Sequence, residues 1–507
     1  MPYKFTSLRK IVVIMLFLLY SVPLSVLAAD RPQWGQRFSR NMVSSETGLP
    51  DTFDPDTGKN IKWVAPLGTE SYATPVIASG RVFIGTNNKK PRDPRHQGDR
   101  GIMLCLDEKD GSLCWQLTVP KIPGDPFLDW PNAGLCSPPT VEGDRVYAVS
   151  NRGEVMCLDI HGQKNGNDGP LRDEGRLLAP PGESPFEITP FDADILWSFD
   201  MKSQAGIYPH DTAHSAILLD GDFLYLNTGN GVDNTHRRIR APDAPSLIVL
   251  DKHTGRLLAK DNQRIGPRIF HSTWSPPALG FVDGRKQIFF AGGDGILYGF
   301  EPLKTPPSEG RVHILKNLWR YDGDPNAPKQ EVHRYTRNRR ESPSNVKSTP
   351  VFHKGRLFLT LGGDIWWGKN KAWIQCINPG GSGDISRSHR IWSYPLRRHC
   401  CSTPAIYNNL AFVADCGGFV YCLDARTGRL LWEHDTGNEI WASPLVADGK
   451  VYLGNRRRTF SIFAAAPEKK LLASLKLDSA MDGTPVAANR TLYVTTMKNL
   501  YAISLQP

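Results

Sequence analysis

One phrase recurs along this chain and decides what it can fold into: a small residue and a proline, a short apolar stretch, a turn, then alternating apolar residues. It is plain in "ATPVIASGRVFIGT" (73–86) and "ASPLVADGKVYLGN" (442–455). It returns as "SPPTVEGDRVYAVS", "HSAILLDGDFLYLNTG", "SPPALGFVDGRKQIFF", "STPVFHKGRLFLTLG", "STPAIYNNLAFVAD" and "GTPVAANRTLYVTT", making eight copies. Most copies lead into a third apolar run closed by an acidic turn, such as "MLCLDEKDG" or "YCLDARTG", and then a fourth run that often carries Trp. Period-two alternation broken by Gly, Asn and Asp is the pattern of successive antiparallel strands. The last three leading prolines, Pro404, Pro444 and Pro485, lie 40 and 41 residues apart, within the period of about 40–45 typical of propeller blades. The eighth copy ends after its third strand, and "NIKWVAPL" (60–67) can supply the fourth, with Trp63 in the usual place. Pairing the two chain ends removes the exposed edge of an open sheet. The expectation is an all-β chain: one eight-bladed β-propeller of four-stranded antiparallel blades over residues 55–507, its ring closed by an N-terminal strand in the last blade.

Ahead of that ring, residues 1–29 place Lys4, Arg9 and Lys10 before an apolar run that ends in small residues. That order reads as a secretory signal peptide, favoured over an uncleaved membrane anchor because Pro23 breaks the apolar run, and it is followed by an N-terminal extension over 30–54. No other segment reaches the roughly 20 apolar residues of a membrane-spanning helix. An exported, periplasmic or envelope-located monomer is expected. The formal charge is +10, three of it within the signal, so the remainder favours acidic partners. Export argues against nucleic acid as the ligand.

Nine cysteines in an exported chain raise the question of disulfides. Cys105, Cys157, Cys376 and Cys422 share one repeat position with Val249, Gly299, Ile462 and Ala502, so Cys there is a small apolar packing residue. Cys400 and Cys401 open blade six and Cys416 ends its second strand. A two-residue turn at Asn408 and Asn409 would set Cys401 opposite Cys416, within reach of a disulfide. That bridge is favoured over a strained vicinal Cys400–Cys401 bond, which stays open as the alternative.

In a propeller, loops from second to third strands and from each blade to the next emerge on one face. The long segments 87–101, 121–135, 231–245, 262–273 and 321–346 belong to those classes, while 160–194 and 379–390 exit opposite. Arginine gathers in the same loops, with Arg237, Arg238, Arg339, Arg340, Arg397, Arg398 and Arg457 as candidate contacts for an anionic partner. Three residues before each leading proline, or its Ile217 equivalent in blade three, comes a ring at the channel mouth: Tyr72, Cys136, His214, Trp274, Lys347, Cys401, Trp441 and Asp482. The residue after each is small, as crowding near the axis requires. Such a mouth can seat a small planar or sugar-like ligand, or it can plug itself by mutual hydrogen bonds. His210 and His214 are four apart, a metal spacing on a helix but not on a chain entering a strand; no metal ligands and no catalytic residues are assigned.

The leading proline, the "CLD…TG" turn and the fourth-strand Trp resemble the pyrroloquinoline-quinone-type propeller repeat. This repeat is shared by quinoprotein alcohol dehydrogenases and by the outer-membrane β-barrel assembly lipoprotein, which binds proteins without catalysis. The long first half also resembles PQQ-repeat proteins of planctomycete-type bacteria. The dehydrogenase resemblance implies pyrroloquinoline quinone with Ca²⁺, and a vicinal disulfide packed on the quinone. In that family the pair belongs to an early blade and is soon followed by an arginine; here it lies in blade six before "STPAIYNN". No Glu, Asn and Asp set could be matched to a calcium site. The assembly lipoprotein's attachment cysteine is also missing, since no Cys precedes Cys105. The expected function is therefore a non-catalytic binding or scaffold protein that presents a basic, loop-rich face to an anionic envelope component or a protein. A calcium-dependent quinoprotein dehydrogenase is the alternative.

Overall fold

The computed structural model describes residues 1, 29–211 and 216–505. The expected signal peptide and His214 fall largely or wholly outside the described residues. Eight separate sheets stand around one ring, each with a core of four antiparallel strands, and three of them carry a short fifth strand. Blade one, for example, comprises Val76–Ala78, Arg81–Asn87, Arg100–Asp107 and Leu113–Pro120. Blade eight takes its outer strand from the other end of the chain: Ile61–Pro66 runs antiparallel to Asn499–Ile503, with Val64 opposite Tyr501. The repeat reading of fold and closure therefore holds.

The core lies between blades rather than inside one sheet. Eight apolar clusters are present among the described residues, and each is shared by two neighbouring blades, as where Phe83, Met103 and Trp115 of blade one meet Val146, Met156 and Leu158 of blade two. Alternation along each strand explains this, because successive side chains face the blade before and the blade after. The four third-strand cysteines are buried, and Cys105, Cys157, Cys376 and Cys422 each pair across the strand with the fourth-strand indole of Trp115, Trp197, Trp392 or Trp432. A small residue leaves room there for the indole.

That indole fastens the next blade. Trp63, Trp115, Trp197, Trp392 and Trp432 each donate Nε1–H to a backbone carbonyl of the following blade, at 3.0, 2.9, 3.1, 3.1 and 3.0 Å. Trp319 donates instead to Gln287 within its own blade, at 2.8 Å. The turn glycine of the following blade lies flat on the ring: a Cβ on Gly255, whose φ is +72°, would stand 2.5 Å from Trp197 Cε3.

Around the axis, the hydroxyl that precedes the leading proline links blades five, six, seven, eight and one in series. The backbone N–H of Thr349, Thr403, Ser443 and Thr484 donates to the hydroxyl of Thr403, Ser443, Thr484 and Thr74 respectively, at 2.9–3.1 Å. The N-terminal extension then fills the channel from the side opposite the mouth. Between Arg31 and Ser44 it hydrogen-bonds to Ile77, Val141, Leu279, Phe352, Ile406, Val446 and Ala487. Those seven residues occupy one position, two after the leading proline, in every blade except the third. Arg40, fully buried with φ +59°, locks this segment by donating to the carbonyls of Pro277 and Trp34.

The indole seams give a direct test. Gly255→Ala should lower the urea midpoint by an amount equivalent to at least about 1 kcal/mol more than Gly284→Ala. Gly284 also has positive φ, at +74°, but faces open space, so the difference reports the collision with Trp197.

Candidate functional site

At the mouth, connections between blades and loops of blades three, five and seven enclose a cavity of about 460 Å³, within the range of small-molecule sites. Six residues of the sequence-derived ring line it: Tyr72, Cys136, Trp274, Cys401, Trp441 and Asp482. Lys347 lies beneath, its Nζ 4.2 Å from the Trp274 ring centre and 5.3 Å from that of Trp366. Its ammonium donates to Asp364 Oδ2 at 2.8 Å. Burial pushes the Asp364 carboxyl up, but Lys347 and His271 outweigh burial and hold it well below the usual carboxylate range.

The walls add residues that the ring did not contain. Trp366 and Trp367 come from the segment between Arg356–Gly363 and Ala372–Ile377 in blade five. Trp366 stands edge-on to both Trp274 and Trp441, with centroids 5.5 and 5.7 Å apart. Phe127 and Trp130 come from the connection between blades one and two, and His236 and His271 from loops on either side of blade three's outer strands. "DIWWGK" (364–369) and "FLDW" (127–130) are unusually apolar for loops, but neither has a counterpart in the repeat.

The arginines divide. Arg237, Arg238, Arg340, Arg398 and Arg457 are exposed. Arg339 is tied to the aromatic loop, donating to the carbonyls of Ile365, Trp366 and Gly368 at 3.2, 2.7 and 3.1 Å. Arg397 pairs with Glu433 at 2.5 Å and covers Phe419. The cavity takes Arg456 rather than Arg457. Its guanidinium lies over Trp441 at 4.2 Å, and its Nε is 3.2 Å from Asp482 Oδ1. That contact is close but poorly aligned, and neither Asp482 oxygen receives a hydrogen bond. Burial accordingly raises the Asp482 carboxyl to about 6, with Arg456 opposing. Burial likewise raises Asp211, on the facing wall, to about 6. His210 behind it is depressed to about 2 by burial and then by His271 and His236.

All nine cysteines are thiols. The expected register holds, with Cys401 facing Cys416, but their sulfurs are 4.0 Å apart, about twice a disulfide bond. Cys400 turns away and donates to Ala414 O at 2.9 Å. Mild oxidation should thus join Cys401 to Cys416, and peptide mapping that found a Cys400–Cys401 link would contradict this geometry. A second expectation concerns pH. Because the folded Asp482 carboxyl titrates above its unfolded value, its ionisation costs stability as pH rises through about 6. Asp482→Asn should be more stable than the wild type at pH 8 by on the order of 2 kcal/mol, and equal to it below pH 4 in denaturant titrations.

The sequence profile of the family described as "Outer membrane protein assembly factor BamB" matches residues 52–167 and 386–506, which hold the ring-closing strand, blade one and three strands of blade two, then the fourth strand of blade five and blades six to eight. The unmatched middle holds His210, His236, His271, Trp274, Trp366 and Trp367. Quinohemoprotein alcohol dehydrogenase ADH IIB of Pseudomonas putida is 22% identical over 448 residues; the alignment takes in 83% of this chain but only 58% of the dehydrogenase's length. Among solved structures, BamB from Moraxella catarrhalis superposes with a TM-score of 0.52 at 11% identity, covering 87% of this chain and 98% of its own. The computationally designed Ika8 protein gives 0.52 at 12% identity, covering 88% and 99%. At these identities the structural likeness speaks for the fold. Repeat sequence, eight-bladed ring and relatives agree, and the chain is a PQQ-type β-propeller repeat protein.

Proposed function

We propose that this protein is an exported binding module whose loop-rich face takes an anionic, sugar-bearing component of the cell envelope, with one ring of that ligand seated in the aromatic cavity. The observation that carries the reading is the pairing of indoles and cations at the mouth. Trp274, Trp366 and Trp441 offer stacking faces, Arg456 lies over one of them, and Lys347 sits beneath the other two. Arg237, Arg238, Arg340, Arg398 and Arg457 on surrounding loops add positive potential that draws an anion in. Asp482 and Asp211 are well placed to accept hydrogen bonds from sugar hydroxyls. Among the described residues, no group on the cavity wall forms a nucleophile with an adjacent base, which favours binding over catalysis.

The relatives make quinone binding the second reading, and the cavity's donors fit it poorly. Calcium takes six to eight oxygen ligands, whereas the acidic wall offers Asp211 beside three imidazoles, and Asp364 is already engaged by Lys347, His271 and Asn345. Only Cys401 of the adjacent pair lines the cavity, so the pair does not present a vicinal disulfide to a planar ring.

An acidic oligosaccharide such as oligogalacturonate should quench tryptophan fluorescence saturably, more tightly than its neutral counterpart and less tightly as salt is raised. Trp441→Ala and Arg456→Ala should each weaken binding at least tenfold, about 1.4 kcal/mol. Calcium-dependent quenching by pyrroloquinoline quinone, with no response to the acidic sugar, would reverse the order of the two readings.

A further inference from the structure

One wall of the cavity carries three histidines that stacking does not use. His210, His236 and His271 are 0%, 7% and 2% exposed, and their ligand nitrogens lie within 4.8 Å of one another. Two ligands on opposite sides of one ion span roughly 4 Å, so the three are close to a common centre. They come from three different segments: the connection into blade three, its long insertion, and the connection out of it. Their spacing of 26 and 35 residues hides them from any motif search.

Their hydrogen bonds fix where the ring protons sit. His210 Nδ1 is 2.8 Å from the carbonyl oxygen of Val232, which can only accept. The proton is therefore on Nδ1, and Nε2 presents a lone pair. His271 Nδ1 is 3.0 Å from Asp364 Oδ2, a carboxylate that also accepts from Lys347 Nζ and Asn345 Nδ2. Its proton too is on Nδ1. His210 Nε2 and His271 Nε2 face each other at 2.9 Å. Without an ion, His271 must carry a second proton on Nε2 and donate it to the His210 lone pair, and a metal ion can take the place of that proton. His236 follows the same pattern more loosely, with Nδ1 3.3 Å from the carbonyl of Asn234. Asp211 closes the cluster: its Oδ2 is 3.5 Å from His210 Nε2 and 3.9 Å from His271 Nε2, while its Oδ1 is buried without a hydrogen-bond partner.

We propose that His210, His236 and His271, with Asp211 as a fourth donor, form a binding site for a divalent first-row transition-metal ion on the cavity wall. Imidazole nitrogen suits zinc, copper, iron or nickel and disfavours calcium and magnesium. Val232 O and Asp364 are positioning groups, holding the ring protons on Nδ1 so that Nε2 points at the ion, as outer-shell partners of metal-binding histidines commonly do. His236, His271 and Asp211 also line the cavity, so the ion is accessible to an oxygen atom of whatever enters. The site does not depend on which ligand the cavity takes. The other cluster of this kind, Asp93, His96 and Asp192, already has the Arg95 guanidinium between its two carboxylates.

The test is calorimetric titration of the metal-stripped protein with Zn²⁺ alone, with nitrogen NMR of the imidazoles on the same sample. One ion per chain should bind at or below micromolar concentration, moving the Nε2 resonances of three histidines. His210→Ala and His271→Ala should each weaken binding at least tenfold, Asp364→Asn should weaken it about 10- to 100-fold, and His96→Ala should leave it unchanged. Should an alanine variant fail to fold, His210→Gln and the wild-type imidazole spectrum answer the same question. Zn²⁺ affinity weaker than about 0.1 mM, roughly 5.5 kcal/mol, would overturn the proposal. So would unchanged affinity in the His210→Ala/His271→Ala variant, or a doubly protonated His271 that persists when Zn²⁺ is added.

Discussion

The structure depends on what an indole on a fourth strand does at the seam with the next blade. A single four-stranded sheet of this size has two apolar faces and no core of its own, so each blade is stable only against its neighbours. The tryptophan supplies both halves of that contact. Its ring fills the space left by a small third-strand residue, and its N–H satisfies a carbonyl in the following blade. Such a bond contributes only about 1 kcal/mol, but it also sets the angle between blades. Three seams depart from this pattern: blades three and seven carry Ala259 and Ala473 where the others have Trp, and Trp319 bonds within its own blade.

The same contact explains why the fold could be read from the chain. Trp, the small residue opposite it and the glycine of the following turn are local in sequence and recur with a period, so eight weak signals reinforce one another. The closure through residues 61–66 was legible for the same reason: a count of strands left one place unfilled. The mouth ring was legible because it occupies a fixed place in the repeat. What lay beyond reach were contacts with no period. Trp366 and Trp367 sit in a loop that one blade alone carries, and Arg456 differs from Arg457 only in which way a tight turn points it. The plug formed by residues 31–44 leaves little trace in the sequence, because many of its bonds to the blades are made by backbone atoms, with Arg40, Asn41 and Ser44 adding side-chain bonds that have no period.

The cavity shows how a scaffold built for regularity acquires an irregular site. Its floor is repeat-derived and its walls are not. Burial of charge is concentrated there: Lys347 against Asp364, Arg456 beside an under-bonded Asp482, and three imidazoles around Asp211. Groups left short of partners in a dry site cost stability, and the indole seams of the ring are what offsets that cost. The two profile matches leave out residues 168–385, the stretch that carries the three imidazoles, Lys347 and Asp364, while Arg456 and Asp482 lie within the second match.

The segment from Arg31 to Ser44 also bears on how the molecule assembles. It precedes the leading prolines in the chain, and beside the turn bonds within residues 36–41 its bonds to the blades reach strands that lie later, the last at Ala487. The contacts that seat it on the axis thus have long sequence separation and are slow to form. Its seat on the axis is therefore complete only when strands from blade one to blade eight stand in place.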